Sequence, residues 1–304
     1  MLYKKSKEPS LSAELFKNPT SEYRGTPFWA WNCKLNKDLL TRQIEYLKEM
    51  GFGGFHMHSR SGMATEYLSS DFFELIKTCV EKAKKEDMLA YLYDEDRWPS
   101  GAAGGILTKD KKNRQRWILF TKKIEKSCAD MKTAYETGET YRIASFNVEL
   151  NDDGTLKRYK KTDETKDSWN VYFKTADDNP WYNNQAYADT LNGDVTEKFI
   201  ELTYENYKKA IGEEFNKTVP SIFTDEPQYR TMSTLAFAGD KSDITLPWTH
   251  DFADTFKEKY GEDIEEKLPE IVWDLQDGKP NYIRYCYIDH ACERFVRGYA
   301  DKCG

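Results

Sequence analysis

The sequence lacks several things whose absence narrows its class. Its six cysteines, Cys33, Cys79, Cys128, Cys286, Cys292 and Cys303, form no C-x-x-C pair, so neither a disulfide framework nor a zinc knuckle is suggested. Cys79 sits on an apolar helical stripe and reads as an ordinary buried thiol. There are only four histidines, and there is no excess of positive charge: the net charge is −7. A basic, phosphate-tracking surface is therefore absent, and nucleic acid is not an expected partner. The Lys-rich stretch around Lys109–Lys112 is a solvated face. No apolar run approaches the ~20 residues of a membrane span. No apolar segment follows the Lys-rich start either, so a cytoplasmic protein with no membrane partner is expected. Internal repeats and low-complexity tracts are missing too.

What the chain does have is aromatic residues, 14% of its 304 positions, and a well-charged surface. Aromatics dominate buried area in any core, but they also stack on the apolar faces of sugar rings. Their positions have to separate the two uses.

The N-terminal half alternates between two periodicities. Residues 27–32 read as a short strand. Asn36 caps a helix over 37–50, with Leu40, Ile44 and Leu47 at helical spacing and Gly51 as its stop. Gly53 to His58 is a second strand. A helix over about 71–86 follows, with Phe72, Ile76, Cys79, Val80 and Ala83 on one face and Asp71 with Glu74 at capping-box spacing. Leu89 to Tyr93 is a third strand. Strands and helices alternating at this spacing predict parallel βα units. The rhythm then breaks. Residues 115–190 hold β-prone runs and the turn signal Asn151-Asp152-Asp153-Gly154, which predicts an inserted set of hairpins. A helix over about 195–215, a fourth strand over Pro220–Thr224, and helices near 250–260 and 281–302 complete the chain, with no fifth to eighth strand evident. The expected fold is α/β, a partial (β/α)8 barrel of four βα units in one domain spanning 1–304, carrying a β-rich insertion after its third strand. An eight-unit barrel takes about 250 residues without insertions. The chain therefore reads as the first half of a barrel.

Three of these strands end in chemistry. The fourth runs into Asp225-Glu226-Pro227, where the proline stops the strand and biases Glu226 away from helical geometry. The third runs into Asp94-Glu95-Asp96 and then Arg97 and Trp98; three successive acids need sugar hydroxyls, a cation or arginines as partners if they are desolvated. The second ends in His56-Met57-His58, both imidazoles on one face, with Arg60 beyond. A carboxylate at the C-terminal end of a buried strand is where α/β barrels place catalytic groups. A protonated carboxylic acid there can give its proton to a leaving oxygen. The pair His56/His58 has the spacing of a metal-dependent hydrolase, but His250 and His290 lie at no strand end, so a third zinc ligand is not in view. Trp29 and Trp31, flanking Ala30 at the first strand end, serve either the core or a ligand floor. The aromatic, amide-rich segment Pro180–Tyr187 suits sugar contacts and a packed surface loop equally.

The stretches RGTPFWAWN (24–32), GGFHMHSRSGM (53–63), YLYDEDRWPSGAAGG (91–105) and FTDEP (223–227) resemble the N-terminal barrel region of glycoside hydrolase family 106, whose characterised members are α-L-rhamnosidases, and of related bacterial glycosidases. The resemblance runs in order over residues 20–304. It implies a (β/α)8 barrel, hydrolysis of a glycosidic bond at a deoxy-sugar or similar glycoside, and Glu226 as general acid. It leaves Asp225 where related barrel glycosidases carry Asn, which can donate to a sugar hydroxyl as an ionised Asp cannot. It also implies calcium, although the residues themselves call for no cofactor. Family members are longer and carry a second catalytic carboxylate on a later strand, which is not identifiable in this sequence. The expected site is thus Glu226 and Asp225 for catalysis, with Trp29, Trp31, Asn32, His56, His58, Arg60, Asp94, Glu95, Asp96 and Trp98 around a carbohydrate. Two alternatives stay open: a non-catalytic carbohydrate-binding fragment, and a metal-dependent hydrolase centred on His56 and His58.

Overall fold

The structure, a computed structural model, describes Ser10 and residues 12–303. In chain order its elements are α1 (Ala13–Lys17), β1 (Phe28–Trp31), α2 (Lys37–Glu49), β2 (Gly54–Ser59), α3 (Ser70–Lys85), β3 (Leu89–Tyr93), β4 (Arg116–Thr121), α4 (Met131–Thr137), β5 (Tyr141–Leu150), β6 (Leu156–Lys161), β7 (Trp169–Thr175), α5 (Gly193–Leu202), α6 (Tyr204–Ile211), β8 (Ile222–Phe223), β9 (Ile244–Pro247), α7 (Phe252–Tyr260), α8 (Leu268–Val272) and α9 (Tyr282–Cys303). The chain divides into two compact units, Met1–Gly104 with Phe199–Pro227, and Gly105–Lys198 with Gln228–Gly304. The fold is mixed α/β, with one parallel and one antiparallel sheet.

In the first unit the helices form where their caps and stripes require. Asn36 Oδ1 accepts from the N–H groups of Asp38 and Leu39, and Leu40, Ile44 and Leu47 are buried below. Gly51, at φ +89°, turns the chain out of α2. In α3 the five-residue stripe from Phe72 to Ala83 is buried as its spacing predicts, each large side chain contributing about 1.5–3 kcal/mol. Its cap differs from the expected one. Ser69 Oγ accepts from Phe72 N, because serine lies at the position where the chain is still extended. The single helix predicted over 195–215 is broken into α5 and α6 at Thr203, whose hydroxyl donates back to Phe199 O at 2.7 Å.

The four strands of this unit run parallel in chain order, β1-β2-β3-β8. Phe28 registers with His56, and His56 with Tyr91, so these side chains share a face. Trp29, Trp31, Phe55, Met57 and Leu92 belong to the core on the opposite side, with α2 and α3. Glycine is required where β2 begins: a Cβ on Gly54 would lie 2.4 Å from Leu89 O, and one on Gly53 2.0 Å from Ser21 O. The fourth strand is shorter than expected, two residues rather than five.

In the second unit the β-prone runs between 115 and 190 form β4 to β7 as antiparallel strands, and Asn151–Gly154 makes the β5–β6 turn, with Gly154 at φ +84°. One strand was not anticipated. The four residues of β9 pair antiparallel with β4, Trp117 opposite Pro247, giving the order β6-β5-β7-β4-β9. The segment after residue 227 therefore joins the β-rich unit, and the insertion is larger than 115–190. A four-residue run carries too little pattern to be read as a strand without its partner. Among the described residues no helix is long and apolar enough to cross a membrane.

Candidate active site

The loop after β3 is built around Glu95. Its carboxylate is buried and accepts backbone N–H groups from Asp96 (2.8 Å), Gly101 (3.0 Å), Ala102 (2.8 Å), Ala103 (2.8 Å) and Gly104. Such a ring of amides needs left-handed residues, and Gly101, Ala103 and Gly104 all have positive φ. Burial pushes the Glu95 carboxyl up, to about 8, against the pull of the Asp96, Gly104 and Gly101 amides. The donors, all pointing at oxygen, suit the ionised form. Both neighbouring acids are buried as well. Asp94 accepts from Ser100 Oγ at 2.6 Å and Tyr204 OH at 2.9 Å; burial raises it to about 6, opposed by those hydroxyls and that of Thr224. Asp96 Oδ2 accepts from Arg97 Nε (3.1 Å) and Nη2 (2.9 Å). Sequence reasoning assigned Asp94, Glu95 and Asp96 to sugar hydroxyls. Their oxygens are instead engaged in holding the loop, because desolvated acids bind the nearest donors and this loop supplies them.

Ser100 ties that loop to the end of β8. Its N–H donates to Asp225 O and its Oγ accepts from Asp225 N, both at 2.9 Å. The strand has ended by Phe223, so strand alternation no longer separates Asp225 from Glu226. Asp225 Oδ2 accepts from Tyr93 OH at 2.9 Å and lies 3.9 Å from His58 Nε2. Glu226 sits at φ +46°, in the left-handed region, and is exposed; its Oε2 accepts from the Trp98 indole N–H at 3.0 Å. A non-glycine residue at positive φ is uncommon and concentrates at functional sites.

Below these groups the sheet face is aromatic. Phe28 lies 4.9 Å from the His56 ring, 4.8 Å from His58 and 5.1 Å from Phe223. His56 stacks on Tyr91 at 4.6 Å, and the edge of His58 meets Tyr93 at 4.0 Å. Phe28 remains 53% and Phe223 36% exposed. Burial lowers both imidazoles, His58 to about 4 with the charges of Arg60 and His56 adding to the effect. Both are neutral at pH 7. His58 Nε2 is buried without a hydrogen-bond partner, aimed toward Asp225.

The expected tryptophan floor is corrected by this arrangement. Trp31 is buried in the core and Trp29 packs edge-on against Trp31 and Phe55, its indole N–H donating to Gln43 Oε1. Both are on the helix side of the sheet. The exposed rings on the strand-end face are Phe28 and Phe223, and Tyr93, whose hydroxyl donates to Asp225, is the polar residue of that face that the sequence reading missed. Strand parity carried the signal, since Phe28 and Ala30 must face away from Trp29 and Trp31. Asn32 is exposed just past β1, and Arg60 is half-buried just past β2, its N–H donating to Trp31 O.

Among the described residues no group of three or more His, Cys, Asp or Glu side chains is arranged to hold a metal ion. His56 and His58 lack a third ligand, and a calcium cage of six to eight oxygens does not fit carboxylates already committed to amides, hydroxyls and Arg97. No family model and no curated protein matches this chain.

Proposed function

We propose that the first unit is the four-strand portion of a (β/α)8 barrel and carries a glycoside-processing site, with Glu226 as the proton donor. The observation that carries the reading is the cluster at the C-terminal strand ends: Glu226 held by Trp98, beside Asp225 held by Tyr93, above an exposed Phe28–Phe223 floor. The barrel assignment is supported by four parallel strands in chain order with helices α2 and α3 packed on one face.

In the reaction Glu226 gives its proton to the glycosidic oxygen as the bond from that oxygen to the anomeric carbon breaks, the electron pair leaving with the oxygen. Water then supplies the new oxygen at the anomeric carbon and releases a proton. The indole bond to Oε2 fixes the carboxyl, leaving Oε1 as the oxygen that faces the substrate. Asp225, His58 and Tyr93 bind hydroxyls, and the phenyl floor suits an apolar sugar face or the methyl of a 6-deoxy-sugar, in keeping with rhamnose-type substrates.

A second reading, sugar binding without hydrolysis, is favoured by one observation. Only Asp225 and Glu226 among the strand-end acids reach solvent, and they are adjacent, whereas glycoside hydrolysis uses two carboxylates about 5–9.5 Å apart. Calorimetry with monosaccharides, run beside an aryl-glycoside turnover screen, separates the two. Turnover that disappears in Glu226→Gln supports hydrolysis; binding with no turnover supports the second reading; neither binding nor turnover removes both.

A further inference from the structure

The second unit has a cleft of about 500 Å³ of its own, over β4 and between residues 176–187 and 228–231. Tyr187 is its hub. The Tyr187 hydroxyl accepts from Gln228 N at 2.9 Å, and its carbonyl accepts from Gln115 N at 2.8 Å. Two side-chain amides, Gln115 and Gln228, are thereby fixed by their backbones on the wall of one cleft. The ring of Trp117 forms another part of the wall, with the Arg230 guanidinium 4.5 Å above it. Stacking on an indole orients a guanidinium and leaves its edge donors for hydrogen bonds.

The lining carries two acids and one base, Asp177, Asp178 and Arg230, and Asp178 is neutralised from outside the lining by Arg114 at 2.7 Å, so the charges around the cleft balance. A balanced set of this kind selects neither an anion nor a cation. Amides, a phenol and aromatic rings around a polar cleft of this volume match a neutral, polyhydroxylated ligand. We propose that this cleft binds a neutral carbohydrate of one or two sugar rings, as a site separate from the strand ends of the first unit. The proposal does not rest on hydrolysis at Glu226.

The test is calorimetric titration of the full chain with L-rhamnose, D-glucose, D-galactose, cellobiose and lactose, followed by hydrogen exchange with and without the sugar that saturates. The expected result is protection of segments 176–187 and 228–231, and about tenfold weaker binding for each of Gln115→Leu and Gln228→Leu, the worth of one hydrogen bond to a bound hydroxyl. Arg230→Ala changes an exposed side chain, so it tests the site in a protein expected to keep its thermal transition, and is expected to weaken binding as well. The proposal is overturned if no sugar saturates, if protection falls only in 54–60 and 93–101, or if Arg230→Ala and both glutamine variants bind as the parent does.

Discussion

The two units bury an acid to the same extent and by different means. In the first, Asp94 is raised to about 6 by burial, and the groups opposing that rise are hydroxyls, from Ser100, Thr224 and Tyr204. In the second, Asp189 is likewise raised to about 6, but the strongest opposing influence is the charge of Arg116, followed by a hydrogen bond from Thr249 at 2.5 Å. Arg116 is itself locked by donation to the carbonyls of Lys111, Lys112, Arg114 and Tyr135. An acid caged by neutral donors can gain or lose a proton without breaking an ion pair; one facing a buried guanidinium cannot. At the strand ends of the first unit Asp225 and Glu226 likewise accept from neutral donors, Tyr93 OH and the Trp98 indole. The Arg116–Asp189 pair of the second holds structure.

The largest effect that sharpens this contrast is expected from Arg116→Met. It strands Asp189 and removes donors from four carbonyls, at a cost of about 3–5 kcal/mol in chemical denaturation. Asp94→Asn keeps hydroxyl partners and is expected to cost no more than about 1 kcal/mol. Comparable losses from the two would erase the distinction.

Next comes the division of the first unit's sheet into two faces. Trp31→Ala opens the core and is expected to cost about 3–5 kcal/mol. Phe28→Ala, on the exposed face, is expected to cost less than about 1 kcal/mol, because the ring loses little burial on removal, while weakening sugar binding measured by calorimetry. A large stability loss at Phe28 would put it in the core.

The neutral His58 gives a pH signature. Its folded pKa, about 4, lies below the ordinary 6.5, so between those values the unfolded chain binds more protons. Its contribution to stability is complete above pH 6.5 and is lost as pH falls toward 4. Asp94 and Asp189, raised to about 6, act with the opposite sign: their contribution is present at low pH and is lost as pH rises through 6. The readout is therefore the difference between the parent and His58→Gln in melting temperature from pH 7 to 4. The parent is expected to lose more; parallel curves would mean that the His58 pKa is the same in the folded and unfolded chain.

The smallest expected change in stability is that of Trp98→Phe, within about 1 kcal/mol, since it removes one partly exposed hydrogen bond. Its effect should appear instead in turnover, through a Glu226 carboxyl that is no longer oriented.

Much of the first unit was legible because periodic stripes and caps are local. Leu40, Ile44 and Leu47 and the stripe from Phe72 to Ala83 landed on the core from spacing alone. The second, third and fourth strand ends share one sheet edge because the strands pair parallel in chain order, which the alternation of strands and helices predicts. What the acids at 94–96 contact was not legible, since it depends on where Gly101–Gly104 fold back and on Tyr204, 110 positions away from Asp94. The tryptophans of β1 were misplaced through chemistry outweighing parity: indoles suggested stacking, while the alternation of the strand left Phe28 as the exposed ring. Strand β9 was hidden because its identity lies in its pairing with β4, not in its four residues.

The most direct test is the leaving-group dependence of Glu226→Gln. If Glu226 is the proton donor, the variant loses about 10²–10⁴ of the rate on an alkyl glycoside whose leaving group needs protonation, and keeps most of its rate on the corresponding 2,4-dinitrophenyl glycoside, which does not. Equal losses on both substrates, or no loss on either, would contradict the assignment.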